Sequence, residues 1–225
     1  MTFTFFKILS YLSFIIYFVF CFFSVSLFHL KEDVKAIFFR SLFMPVLMIF
    51  YFSSFKNHIL TVYFALLFSW FGDMFLSRLN VKNIFLSFLF YSISVILFLL
   101  NILLKINFKN LNYILVSFVF LFYLIIAFVY VFLTLERTRK VLKGNNIFTI
   151  FRTVLALFCI FVIIFASETK GKFLYLILGS NLLFVNQLLF SHYLITKKNE
   201  FLDFCLTITY SLSLLFLVCG FGKMI

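Results

Sequence analysis

Long apolar runs broken by short polar segments make up the whole chain. Eight runs can be marked, roughly 6–28, 38–55, 59–77, 84–104, 111–134, 147–166, 172–195 and 202–221. Each holds about 20 residues, enough helix to cross a hydrocarbon core of about 30 Å. Apolar residues follow one another without the apolar/polar alternation of transmembrane barrel strands. A segment in lipid must satisfy its own backbone hydrogen bonds, so these runs predict helices. The expected fold class is all-α, a polytopic transmembrane helical bundle of about eight spans.

The polar segments are HLKEDVK, KNH, SRLNVKN, KINFKN, ERTRKVLKGNN, SETKGK and TKKNEFLD. None is long enough for an extramembrane domain, and no internal repeat or low-complexity linker divides the chain. Residues 1–225 therefore read as a single transmembrane domain. The first run follows Lys7 and lacks an A-x-A cleavage site, so it is expected to be a membrane helix rather than a removed signal peptide.

Composition narrows the function classes. The chain is 65% hydrophobic and 12% charged, with a mean hydropathy of +1.21. Those values exclude a water-soluble globule and a disordered chain. The net charge of +12 would suggest nucleic acid in a soluble protein. Here the cations lie between spans, where they orient helices and meet anionic headgroups, so the expected partner is membrane lipid and not nucleic acid. Eight spans put both termini on one side with seven Lys and Arg, against twelve on the other. The positive-inside rule makes the richer side cytoplasmic and the termini external. The expected location is an integral, multi-pass place in a membrane, the cell membrane for a bacterial source. Phe supplies 41 residues, either as lipid-facing filler or as the lining of an aromatic cavity. The four cysteines show no C-x-x-C spacing and the three histidines are dispersed, so no metal site and no cofactor is expected.

Polar residues inside the runs crowd the cytoplasmic half. They include Ser69 and Asp73, Ser87, Tyr91, Ser92 and Ser94, Thr149, Arg152 and Thr153, Asn186, Gln187, Ser191 and His192, and Thr207, Thr209, Tyr210, Ser211 and Ser213. Ser10, Ser13, Ser53, Asn101 and Ser117 break the trend. Polar groups in hydrocarbon must pair or line a wet cavity. Either a polar pocket or interhelical hydrogen bonds alone would satisfy them. Asp73 is the one acidic residue placed within a run, in LLFSWFGDMFL, with Ser69 one helical turn earlier and Gly72 beside it. One reading pairs it with Arg78 or Lys82 at the headgroup layer. The other makes it a functional carboxyl. Loss of water disfavours the charged form, and an acid still protonated near neutrality can serve as a general acid. Arg152, inside the sixth run, is either its cationic partner or a snorkelling side chain. No G-x-S-x-G, H-E-x-x-H, P-loop or dinucleotide-binding motif occurs in the required context.

The third run resembles the lysoplasmalogenase (YhhN-like) family of eight-span membrane proteins, which carries a segment like L-x-F-S-x-x-G-D-x-x-L. Leu67, Phe68 and Ser69 lead here to Gly72, Asp73 and Leu76. Pro45 is similar to the proline of the family's Lys-Pro segment, with Met44 in the lysine's place. Thr209, Tyr210, Ser213 and Gly220 fall in register with T-Y-x-x-[AS]-Q-x-L-I-x-x-G, with Leu214 at the glutamine. The family's fourth-span histidine has no counterpart, and Ser94 lies near its place. Its seventh-span carboxylate is replaced by Leu188, or by Gln187 with one residue's slip.

The resemblance implies hydrolysis of the vinyl-ether bond of lysoplasmalogens, giving a fatty aldehyde and a glycerophospho-headgroup. Asp73 would be the catalytic acid, with Ser69, Gln187, Tyr210 and Arg152 binding the lysophospholipid-like substrate. The alternative is a non-catalytic relative, a lipid binder or small transporter.

Overall fold

The computed structural model describes residues 2–29, 33–56, 58–76, 81–106, 114, 117–123, 125–126, 147–169, 173–195 and 200–223. These residues are helical, with short turns and no strand among them. The elements are α1 (Thr2–His29), α2 (Asp33–Ser41), α3 (Phe43–Ser54), α4 (Leu60–Leu76), α5 (Val81–Leu103), α6 (Ile147–Glu168), α7 (Leu174–Ile195) and α8 (Glu200–Gly222). Five of them, α1, α5, α6, α7 and α8, are long and apolar enough to cross a membrane. The architecture is that of a multi-pass integral membrane protein. Most of the expected fifth span, 111–134, lies outside the described residues.

The second run does not form one helix. Pro45 has no N–H to give the carbonyl of Ser41, and its ring crowds that carbonyl. The chain therefore turns at Leu42, whose N–H closes a tight bond to Phe39 O at 3.2 Å, and α3 starts one residue later. Pro45 then sits in the first turn of α3, where a missing donor costs nothing. The break lets α2, and Arg40 in its last turn, approach α4 independently of α3.

Consecutive elements pack on each other from α3 through α5 and from α6 through α8, α5 meets α6, and α8 returns to α1 and α3. This closes the described helices into a ring. Small residues bring α7 and α8 close. A Cβ at Gly179 would lie 2.8 Å from the backbone nitrogen of Leu217, so only glycine allows this approach. The large side chains Tyr17, Phe43, Tyr51, Phe98, Phe158 and Phe221 are fully enclosed.

Two of the polar residues that break the sequence trend, Ser10 and Asn101, join helices away from the polar end, while Ser13 and Ser53 bond carbonyls of their own helices. Ser10 Oγ lies 2.6 Å from Ser54 Oγ, and Thr61 donates to Asn101 Oδ1 at 2.5 Å. Phe serves both readings: Phe18, Phe22, Phe52 and Phe118 face outward, while Phe88, Phe98, Phe151 and Phe190 line an internal cavity.

Candidate functional site

Four elements converge on Asp73. It lies in the last turn of α4, and only 1% of it is exposed. Tyr91 of α5 donates its hydroxyl to Asp73 Oδ1 at 2.5 Å. Tyr210 of α8 donates to Oδ2 at 2.8 Å. Arg40 of α2 places Nε 3.7 Å from Oδ1 and lays its guanidinium over the Tyr210 ring, 4.3 Å from the centroid. Gly72 makes this geometry possible, because a Cβ there would come within 2.6 Å of Tyr91 Cε1. The glycine next to the acid thus clears the path of the ring that binds the acid.

Each carboxylate oxygen has its own hydroxyl donor, and a guanidinium faces one of them. A buried carboxylate needs this kind of support, since an unpaired charge in hydrocarbon is strongly unfavourable. Arg40 also feels a smaller pull from Asp203, which lies in the first turn of α8 and is 5% exposed. Two buried carboxylates therefore share one arginine's field. This corrects two sequence expectations. Arg40 is no loop cation, and Asp73 is not the one acid within a helix.

Arg152 does not partner Asp73. Its Nη2 donates to Ser191 Oγ at 2.6 Å, and its guanidinium stacks on Phe148, 4.2 Å from the centroid. Ser191 Oγ in turn donates to Gln187 O at 2.7 Å. Arg152 thus ties α6 to α7. Lys82 is exposed, and Arg78 lies outside the described residues.

Beside the Asp73 cluster lies a small cavity of about 40 Å³ between α2, α4, α5, α6, α7 and α8. Arg40, Tyr91 and Tyr210 line it, as do Ser69, Ser94, Asn186 and Gln187. The Asp73 carboxyl itself does not: the tyrosines stand between it and the empty space. Ser69 and Ser94 pair at 2.7 Å. Asn186 donates to Leu206 O at 2.7 Å and to Thr209 Oγ1 at 2.9 Å, so its amide is committed to α8. Gln187 differs, because its Nε2 is buried without a hydrogen-bond partner among the described residues. The rest of the wall is apolar, with Phe88, Phe98, Phe151 and Phe190 prominent.

Of the sequence candidates, the structure groups Asp73, Ser69, Tyr210 and Gln187 around this cavity and sets Arg152 behind it. Among the described residues, no three His, Cys, Asp or Glu side chains gather in the manner of a metal site. Compared with protein-family models, with curated proteins and with solved structures, the chain matches none.

Arg40 and Asp203 are the residues that sequence reasoning missed. Arg40 stands near the start of the second run, a few residues after HLKEDVK, where it is counted with the cations of that polar segment. The available signal was Pro45, which breaks the second run and frees Arg40 to turn inward.

Proposed function

We propose that this chain is an eight-span intramembrane hydrolase of lysolipid vinyl ethers, working at its cytoplasmic end. The supporting observation is a buried acid held by two tyrosine hydroxyls and an arginine beside an aromatic cavity. Vinyl-ether hydrolysis begins with a proton added to the outer alkenyl carbon. The positive charge then rests on the inner carbon and the ether oxygen as an oxocarbenium ion. Water adds to that carbon, and the hemiacetal collapses to an aldehyde and the glycerol hydroxyl.

In this reading Asp73 is the proton source. Tyr91 or Tyr210 carries the proton across, giving its own hydroxyl hydrogen to the alkenyl carbon and taking that of Asp73. The carboxylate left behind sits close to the new cation and stabilises it, as do the faces of the lining phenylalanines. The apolar wall faces the alkenyl end of the substrate, and Gln187 offers an N–H that no described residue accepts to an ether or hydroxyl oxygen. The seventh span supplies no carboxylate to activate water, so the proton of the added water returns to the Asp73 carboxylate through the same tyrosine hydroxyl. The test is aldehyde release from a lysoplasmalogen in micelles by purified protein. Release that depends on Asp73 supports the reading, and no release from folded wild type overturns it.

One observation favours the non-catalytic alternative: no carboxylate lines the cavity. A lipid binder would retain lysolipid without turnover, and the same preparation separates the two readings.

A further inference from the structure

The opposite end of the bundle carries a second concavity. There α1 and the C-terminal end of α3 flank a groove of about 570 Å³, lined by Lys7, Ser10, Tyr11, Ser54, Lys56 and His58 among others. Neither lysine is ion-paired with a described residue. Glu168 is the one carboxylate that the described residues place at this end, which also receives Lys105 and Lys223. Two ammonium groups and an imidazole thus line one groove with no acid on its wall. Such a groove is complementary in charge to an anion. The imidazole is held in place, stacked on Phe52 at 5.2 Å and with Nδ1 3.3 Å from the Tyr63 hydroxyl.

Further along the outward face of α1 lies a separate apolar furrow of about 460 Å³, past Ile15, Phe18 and Phe22. From Tyr11 to Phe23 the helix rises about 18 Å. That is close to one leaflet, half of a hydrocarbon core of about 30 Å. A charged pocket at the headgroup level and a furrow one leaflet deep share one helix face, because residues 7, 11, 15, 18 and 22 follow the helical repeat.

We propose that this face binds one anionic phospholipid, its phosphate held between Lys7 and Lys56 and an acyl chain laid along α1. The site is independent of the Asp73 cavity and needs no turnover. Native mass spectrometry of the full chain in detergent, offered phosphatidylglycerol and phosphatidylcholine of matched chains, tests it. Wild type should retain phosphatidylglycerol preferentially, by roughly fivefold per lysine engaged. Lys7→Gln with Lys56→Gln should abolish the preference, while the charge-matched pair Lys105→Gln with Lys223→Gln should keep it. Both lysines are exposed, so folding should survive, and an unchanged elution volume checks it. Glycerophosphoglycerol, a headgroup without chains, should not compete. Equal retention of the two lipids by wild type, or an intact preference in the first double variant, overturns the proposal. Full competition by the chain-free headgroup overturns the furrow's part in it. A lipid-free dimer that buries α1 overturns it as well.

Discussion

Arg40 and Arg152 are both nearly buried, at 11% and 7% exposure, and each lies over an aromatic ring about a van der Waals contact away. Their remaining partners differ. Arg40 faces a carboxylate and a lesser pull from a second one. Arg152 gives its hydrogen bond to a serine that in turn caps a backbone carbonyl. The first arginine belongs to an electrostatic cluster with a cavity beside it, and the second is a strut between α6 and α7. A cation inside a membrane helix is therefore no guide to a site until its acceptor is known.

The largest effect expected of any single change is on turnover. Asp73→Asn keeps size and hydrogen bonding but removes the transferable proton. Aldehyde release should fall by roughly 10²–10⁴-fold, the range for a lost general acid. Comparable release from both proteins, matched for folded amount, would take Asp73 out of the mechanism.

Next come the arginines themselves, which the comparison separates by a double-mutant cycle. Arg40→Met leaves Asp73 without its counter-ion. It should cost up to about 3 kcal/mol, the lower edge for breaking a buried pair, since the 3.7 Å contact is not a hydrogen bond. In an Asp73→Asn background the same change should cost less than about 1 kcal/mol, because no stranded charge remains. Arg152→Met loses the hydrogen bond to Ser191, about 1–3 kcal/mol for a charged donor, and its cost should be the same in either background. Unfolding of detergent-solubilised variants reads all four quantities. An Arg152 cost that depends on Asp73, or an Arg40 cost that does not, would erase the distinction between the two residues.

Gly72→Ala acts on the same cluster through space alone. The new methyl would press on Tyr91 Cε1, so the ring must shift. Overpacking of this kind costs roughly 1–3 kcal/mol. Because Tyr91 holds Asp73 Oδ1, turnover should drop with stability. Tyr91→Phe in the Gly72→Ala background should then add little further loss of turnover. A full additional loss would mean that the methyl leaves the hydroxyl contact intact.

How much of this was legible before the fold is itself a matter of contrast. Asp73, Ser69 and Tyr210 stood out because polar groups in an apolar run are costly, and they do gather at one place. Among the described residues the helix positions followed from the runs, apart from the second, where the consequence of Pro45 for the backbone decided the outcome. Arg40 was hidden because counting cations by loop treats every residue near a run's end as solvated. Asp203 was hidden for the same reason: it follows KKNE, yet α8 begins at Glu200 and carries it inside. Arg152 drew attention through its depth, but its acceptor Ser191 lies 39 residues away on another helix. No local pattern encodes such a pairing, whereas the cost of burying a polar group is visible residue by residue.

The smallest effect separates two neighbours in α7 that share the cavity wall. Asn186 spends its amide on Leu206 O and Thr209 Oγ1, so Asn186→Leu should strip those acceptors and cost about 1–3 kcal/mol. Gln187 Nε2 has no protein partner among the described residues to lose. Gln187→Leu removes a buried, unmet donor and puts hydrocarbon in its place, so stability should stay within about 1 kcal/mol of wild type or rise. Its loss should be felt only with ligand present, as a raised KM for a lysolipid and an almost unchanged kcat. If Gln187→Leu destabilises the empty protein as much as Asn186→Leu does, then Gln187 is a second strut like Arg152, and its amide is not a donor waiting for a ligand. If kcat falls instead of KM rising, the amide acts on the transition state. Gln187→Asp should then raise turnover while Asp73 is present and do nothing beside Asp73→Asn.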